Sequence, residues 1–220
     1  MKTIGAIIFA SLIFLQTLYA KELSVLGILD EMIIRYGGEE SLKQLNSYKQ
    51  IWNVETKMGN SHGTDTREIR LPNFLKVELV YPNRSEIRIL DHAKGIKKYP
   101  NKTIEAKGPM LDAMKLQLMR LYTPLELKKR AKDIKVLEDD NFYVLILEQD
   151  NLVANYFVSK KDYYISLVIG ELSMNGSKME FRTFYEDYAI THGVMMPHKE
   201  IKYAGSVNTA ILRLKEVSFF

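Results

Sequence analysis

The side chains that most often perform catalysis or bind metals are few and scattered in this sequence. The histidines are His62, His92, His192 and His198, and they form no H-x-x-x-H pair and no His–carboxylate pair at metal-ligand spacing. The chain has no cysteine, which excludes thiol chemistry, and it has no G-x-S-x-G nucleophile motif. We therefore expect neither a catalytic site nor a metal or cofactor site.

Carboxylates stand next to each other at Glu39-Glu40, Asp139-Asp140 and Glu186-Asp187. Neighbours along a strand point to opposite faces, so the last pair cannot easily share a proton. Ordinary solvated charge explains all three pairs better than acid–base catalysis does. The sequence thus predicts a protein that binds and not an enzyme.

A methionine-rich helical segment is the strongest candidate for a binding element. Met110, Met114 and Met119 lie within residues 109–122, where apolar side chains recur at helical spacing. Methionine is flexible and polarizable, so it can either fill an irregular core or repack around varied apolar ligands. For the helix by itself the core interpretation is favoured.

The first 20 residues have the three parts of an export signal. Lys2 gives a basic start, residues 4–15 are apolar, and Leu18-Tyr19-Ala20 ends in a small residue. The apolar run is shorter than the ~20 residues of a membrane-spanning helix. We predict cleavage near Ala20 and a single exported domain over residues 21–220, located in a bacterial periplasm.

The charge balance excludes one class of partner. Lys and Arg number 31 against 27 Asp and Glu, a formal charge of +4, and the basic residues are scattered in short clusters. Neither a basic stripe nor a nucleic-acid-binding motif is present. We expect no nucleic-acid partner.

Most of the remaining chain alternates with the period of a β-strand. In residues 74–81, for example, Leu75, Val77, Leu79 and Tyr81 share one face. Eleven such segments follow a first helix that ends at Gly37-Gly38, and the helix over 109–122 divides them into two groups. A sheet of about eleven twisted strands must curl, and its apolar concave face then needs a cover.

Four stretches carry a resemblance to a known family. Residues 33–42, 71–78, 90–100 and 184–197 occur in the order of corresponding motifs in the periplasmic lipoprotein carriers of LolA/LolB type and their lipid-binding relatives. The resemblance implies an α+β, mainly β fold: a curved half-open antiparallel β-barrel covered by helices, with an apolar cavity for acyl chains. It also implies an arginine that holds the lid, for which Arg67 and Arg70 are the candidates.

With this resemblance and the export signal, the interpretation of the methionine-rich helix as a lid becomes the preferred one. The predicted cavity residues are Trp52, Val54, Val77, Leu79, Ile87 and Ile89 from the sheet and Met110, Met114 and Leu118 from the helix.

Two functions remain open at this point. The first is a non-enzymatic carrier that binds a lipid or an acylated lipoprotein and transfers it from a membrane-protein donor to an acceptor. The second is an envelope-stress sensor or protein-docking module on the same fold, which predicts a filled or small cavity and an exposed apolar patch. An exported hydrolase is a third hypothesis, for which the sequence offers no catalytic triad.

Overall fold

A computed structural model describes residues 24–57, 59–174 and 177–220. The predicted export signal, residues 21–23, Met58, Asn175 and Gly176 lie outside these residues. The helices are α1 (Val25–Arg35), α2 (Glu39–Lys43), α3 (Pro109–Met119) and α4 (Pro124–Lys128), with short 3-10 turns at Gln44–Asn46 and Ala131–Asp133. The strands are β1 (Ser47–Thr56), β2 (Ser61–Arg70), β3 (Phe74–Tyr81), β4 (Arg84–Asp91), β5 (Lys94–Tyr99), β6 (Lys102–Ala106), β7 (Ile134–Glu138), β8 (Phe142–Gln149), β9 (Leu152–Ser159), β10 (Ile165–Met174), β11 (Ser177–Thr191), β12 (Val194–Ala204) and β13 (Val207–Phe219).

All thirteen described strands belong to one antiparallel sheet, in the order β6-β5-β4-β3-β2-β1-β13-β12-β11-β10-β9-β8-β7. The chain starts at the centre with β1 and winds outward to β6. It crosses through α3 and α4 to the opposite edge at β7, and it winds back to β13 beside β1. The sheet therefore has two arms, and its edge strands β6 and β7 are not paired with each other.

The sheet curls around α3. This helix contacts β4 and β5 on one arm and β9 and β10 on the other. Seven strands separate β4 from β9, so a flat sheet would hold these two strands about 38 Å apart. A helix of 11 residues is only about 16 Å long. Contact with both arms is possible only because the accumulated strand twist bends the sheet.

The prediction of about eleven strands is wrong, because β5 and β6 were not recognised. Both are short and carry several charged residues, and β5 contains only Ile96 as an aliphatic side chain. They are visible only through their pairing with each other and with β4. Short, charged edge strands are a common protection against pairing with other chains.

The first helix ends at the predicted glycines and α3 begins at the predicted proline, but α3 ends at Met119 and not at residue 122 as the sequence pattern predicts. The Ser24 hydroxyl accepts a hydrogen bond from the Gly27 amide at the start of α1, and Gly37 follows the helix with a positive φ of 107°. At α4 the Thr123 hydroxyl accepts from the Glu126 amide at 3.3 Å. Thr123 is thus the N-terminal cap of α4.

Tyrosine hydroxyls attach α1 to the second arm. The Ile165 amide donates to the Tyr36 hydroxyl at 3.0 Å, and the Tyr188 hydroxyl donates to the Ile165 carbonyl at 2.7 Å. The two hydroxyls lie 3.2 Å apart. Burial is the largest cause that raises the pKa of Tyr36, to about 12, so both phenols stay neutral donors and acceptors.

Two glycines allow α3 to approach both arms. A Cβ on Gly95 in β5 would lie 2.9 Å from the Leu111 Cδ1, and a Cβ on Gly170 in β10 would lie 2.5 Å from the Arg120 Cδ and 3.1 Å from Leu116. Any side chain at these two positions collides with the helix or with the residue that follows it. The glycines therefore set the distance between α3 and the sheet.

We predict that Gly170→Val lowers the free energy of unfolding by about 1–3 kcal/mol, because overpacking must displace α3 or Arg120. Ser173→Val on the exposed side of the same strand is the matched control, with an expected change within about 0.5 kcal/mol. Urea unfolding followed by circular dichroism measures both. Equal stability of the two variants would show that α3 does not rest on Gly170.

Candidate functional site

A cavity of about 540 Å³ lies between α3 and the concave face of the sheet. Its volume falls within the ~300–1,000 Å³ range of small-molecule sites. Seven strands and the end of α3 contribute to its wall. The apolar lining consists of Val54, Val77, Leu79, Ala113, Leu116, Leu121, Phe181, Ala210 and Leu212. The polar lining consists of Thr56, Asp65, Arg67, Tyr81, Arg84, Arg88, Gln117, Arg120, Thr183, Tyr185, Glu200, Lys202 and Thr209.

The structure brings three of the predicted sheet residues together at this cavity. Val54, Val77 and Leu79 line it. Trp52 does not line it: the indole is completely buried, in a small cluster with Val54 and Leu212. The tryptophan thus supports the cavity floor.

The assignment of Ile87 and Ile89 to the cavity is wrong. Arg88 lines the cavity, and successive residues of a strand face opposite sides, so both isoleucines lie on the outer face. The concave face of β4 is instead charged at Glu86 and Arg88, whose side chains pair with each other at 2.6 Å. A shift of one residue in the assumed register exchanges the two faces.

The methionine-rich face of α3 is not the cavity face. Met114 and Leu118 are only 4% and 3% exposed and belong to the main core, whereas Met110 is 39% exposed and lies outside the cavity. The core interpretation therefore describes Met114 correctly. The cavity side of the helix carries Ala113, Leu116, Gln117 and Arg120, a set at the helical spacing of three and four residues.

Arg67 lies at the centre of a buried ionic cluster. Its guanidinium, 1% exposed, donates to both carboxylate oxygens of Glu200 at 2.7 and 2.8 Å and to Asp65 Oδ2 at 2.8 and 3.0 Å. It also lies 5.0 Å above the ring of Trp52, within the distance of a cation–π contact. Every part of the guanidinium thus has a partner in the sheet.

These contacts shift the pKa values of both charged partners. Burial opposes charge on Arg67, but the carboxylates of Asp65 and Glu200 outweigh it and raise the arginine pKa well above its usual value. Burial likewise raises the pKa of Glu200, but Arg67 and Lys202 lower it more, to about 2. Arg67 and Glu200 are therefore both ionised at neutral pH.

The structure places neither Arg67 nor Arg70 as a latch on the helices. The hydrogen bonds of Arg67 remain within the sheet, and the exposed Arg70 pairs with Glu68 and stacks on Phe74. Their positions on β2 explain this outcome, because α3 contacts β4, β5, β9 and β10.

Other hydrogen bonds join α3 and the residue after it to the sheet, one of them from the Tyr185 hydroxyl to the Arg120 carbonyl at 3.4 Å. Arg88 donates to the Gln117 side chain at 3.1 Å, and the guanidinium of Arg120, which follows the helix, donates to the Thr183 hydroxyl. The Tyr156 hydroxyl donates to the Met119 carbonyl at 2.5 Å. Arg120 has no distinctive signal in the sequence, since a single cation after an apolar helix is typical of an ordinary helix C-terminus.

The charged side chains of the cavity are mostly cations. Five are basic (Arg67, Arg84, Arg88, Arg120 and Lys202) and two are acidic (Asp65 and Glu200), so the formal charge of the lining is +3. Burial is the largest cause that lowers the pKa of both Arg120 and Lys202. The site therefore combines apolar surface with excess positive charge.

Other site types find no support in the described residues. No group of three His, Cys, Asp or Glu side chains in residues 24–57, 59–174 and 177–220 is arranged to hold a metal ion. Within the same ranges, no helix has the length and apolar character needed to cross a membrane.

Comparisons with known proteins identify related folds. No protein-family profile matches the sequence, and no curated protein is significantly similar to it. The structure is similar to a LolA superfamily protein from Nitrosomonas europaea, with a TM-score of 0.58 and 13% identity over 90% of this chain and 94% of that one. It is also similar to a domain from Vibrio parahaemolyticus described as an outer membrane lipoprotein-sorting protein, with a TM-score of 0.52 and 10% identity over 88% and 91% of the two chains. At these identities the likeness concerns the fold.

We predict that Arg67→Met lowers the free energy of unfolding by about 3–5 kcal/mol, because it leaves Asp65 and Glu200 buried without their main cation. Arg70→Met removes an exposed ion pair on the same strand, and the expected cost is below about 1 kcal/mol. Urea unfolding measures both. Similar small losses in the two variants would contradict a structural role of the Arg67 cluster.

The lowered pKa of Glu200 predicts a specific acid sensitivity. A carboxylate whose pKa falls from 4.5 in the unfolded chain to about 2 in the fold stabilises the fold above pH 4.5, and this contribution is lost as the pH falls toward 2. Between pH 6 and pH 3 the loss is about 2 kcal/mol. Glu200→Gln should lack this part of the acid sensitivity, and Glu216→Gln at an exposed position should retain it, as measured by urea unfolding at the two pH values. An unchanged acid sensitivity in Glu200→Gln would show that another group titrates.

Proposed function

From a fold shared with LolA superfamily proteins, we propose that this chain is a non-enzymatic periplasmic carrier. It binds the acyl chain of a lipid or of an acylated lipoprotein beneath α3 and passes it from a membrane-protein donor to an acceptor. The observation that carries the proposal is the cavity of about 540 Å³, whose lining includes Val77, Leu79, Leu116 and other apolar side chains. The export signal in residues 1–20 supports the periplasmic location.

Burial alone provides the binding energy in this proposal. Each methylene removed from water contributes about 0.8 kcal/mol, so a few carbons of an acyl chain along Val77, Leu79 and Leu116 give useful affinity. No bond is formed or broken, and the ligand can leave unchanged. A carrier needs this reversibility.

The position of α3 supports exchange of the ligand. The helix covers the cavity and rests on both arms, and its polar contacts with the cavity wall are the Arg88–Gln117, Arg120–Thr183 and Tyr185–Arg120 hydrogen bonds. A typical hydrogen bond contributes only about 0.5–1.5 kcal/mol net, or about twice that when a charged group takes part. In this proposal the cavity opens when α3 separates from one arm, which breaks these hydrogen bonds and part of the buried packing of Met114 and Leu118.

A sensor or docking module on the same fold is the competing function. It predicts a filled or small cavity, whereas the cavity here has the volume of a ligand site. The volume favours the carrier.

Filling the cavity tests the proposal. We predict that Ala113→Trp, on the cavity side of α3, reduces bound lipid at least tenfold, because the indole occupies the space of the acyl chain. Met110→Trp, on the exposed side of the same helix, should retain it. The measurement is native mass spectrometry of protein purified from a bacterial periplasm, followed by organic extraction, with circular dichroism to verify folding.

The same measurement can reject the carrier. A wild-type protein that carries no lipid and stays unliganded after incubation with membrane lipids would favour the docking module. Equal lipid content in Ala113→Trp and Met110→Trp would place the lipid elsewhere on the molecule.

A further inference from the structure

The inner wall of the cavity carries one more cation than it can pair. Arg67 binds Glu200 with two hydrogen bonds and holds Asp65 as well. Lys202 shares the same two carboxylates, with its Nζ at 3.2 Å from Glu200 and 3.9 Å from Asp65. The two carboxylates thus pair with two cations, and a third cation, Arg120, also lines this wall.

Arg120 has no acidic partner among the described residues. Its guanidinium donates to the Thr183 hydroxyl, and no carboxylate in the described part of the chain lies within 4.0 Å of it. Its Nε is buried without a hydrogen-bond partner. Burial is the largest cause that lowers its pKa; Tyr185 and Glu200 oppose this shift, and the positive charge of Arg67 adds to it. The fold therefore holds a charged group in a position that opposes its charge.

Arg120 and Lys202 converge on the same point of the sheet. Thr183 in β11 accepts the hydrogen bond from Arg120, and it is the register partner of Lys202 in β12. Side chains of directly paired residues lie on one face with Cβ atoms about 5 Å apart. Arg120 from the helix side thus binds the residue beside Lys202 on the sheet side, and both cations line the cavity.

An isolated buried charge is costly unless it is paired. The cluster below compensates Arg120 only in part: Glu200 acts on it from beyond 4.0 Å, while Arg67 already engages Asp65 and Glu200 through all three of its guanidinium nitrogens. Arg120 is part of the cavity lining, so an anion inside the cavity can reach it. Arginine beside lysine is an arrangement that binds carboxylate and phosphate groups well.

We propose that Arg120 and Lys202 form an anion-binding subsite inside the cavity, which takes the carboxylate or phosphate head of an amphiphile whose apolar chain lies along Val77 and Leu79. The proposal rests on the carrier function and specifies its ligand class. The ligand enters with its charged head toward the end of α3. Neutral acyl compounds of the same chain length bind less tightly, because they leave Arg120 unpaired.

Three ligands with identical chains test the head-group preference. Hexadecanoate, hexadecyl phosphate and hexadecanol compete at pH 7.5 with a neutral fluorescent alkyl probe for the purified mature protein. We expect the two anions to bind at least tenfold more tightly than the alcohol. The carboxylate and phosphate arms distinguish a fatty-acid ligand from a phospholipid-type ligand.

Variants assign the preference to the subsite. Arg120→Met and Lys202→Met should each remove most of the preference while the affinity for hexadecanol stays unchanged, which also verifies that the cavity is intact. Arg70→Met, outside the cavity, should behave as wild type. If Arg120→Met does not fold, Thr183→Val, which removes the hydroxyl that positions Arg120, gives the same comparison.

Each other outcome has a separate meaning. Equal affinity of the wild-type protein for all three ligands overturns the subsite but leaves the carrier function intact. A preference for anions that survives in both Arg120→Met and Lys202→Met also overturns it. Failure of all three ligands to displace the probe or to bind contradicts the carrier function itself, and the subsite with it.

Discussion

The ion pair between Arg67 and Glu200 is the contact on which the shape of this molecule depends. Arg67 is on β2 and Glu200 is on β12, with β1 and β13 between them. In a flat sheet these strands would be about 14 Å apart, yet the side chains make direct hydrogen bonds of 2.7 and 2.8 Å. The concave face must therefore bend at the centre of the sheet. Trp52 on β1, directly below the guanidinium, fills the space inside this bend.

The bend at the centre determines what happens at the two arms. Because the arms face each other, one 11-residue helix can contact both of them, and Gly95 and Gly170 set how closely it approaches. The helix does not reach the centre of the concave face, because the side chains of the ionic cluster and of the cavity wall lie between the helix and the sheet. The cavity is thus a consequence of a curved sheet, a charged floor and a helix supported at its sides.

The sequence was sufficient to predict the mainly β fold, the end of α1, the start of α3 and the cavity face of β3, because these depend on local patterns. In β3 the alternation of Val77 and Leu79 with polar neighbours leaves one choice of face. In β4 the two faces differ: Ile87 and Ile89 lie on one face, and the charged Glu86 and Arg88 lie on the other. Apolar content then favours the isoleucines for the interior, whereas the actual interior pairs Arg88 with Gln117 of α3. That partner becomes apparent only in the folded chain.

The cavity face of α3 could likewise not be identified from the sequence. Its methionines form a clear apolar stripe, and the stripe is the core contact, because Met114 and Leu118 pack against the arms. The less apolar side, with Gln117 and Arg120, faces the cavity. When a helix bridges two arms of a sheet, its most apolar side packs in the protein core. The more polar side, next to the ligand space, has no distinctive periodicity of its own.

The distribution of charge follows from this arrangement. The whole sequence has a formal charge of +4, and in linear order its basic residues look like ordinary solvated charge. Folding brings five of them to one cavity with two acids, from strands β2, β4 and β12 and from the end of α3. No sequence motif reveals this set of charged residues, because its members lie on separate elements and come together only when the sheet curls. Because solvation is weakest inside the cavity, a charge there acts more strongly on a ligand than the same charge on the surface. A modest excess in the sequence thus becomes a local property of the binding site.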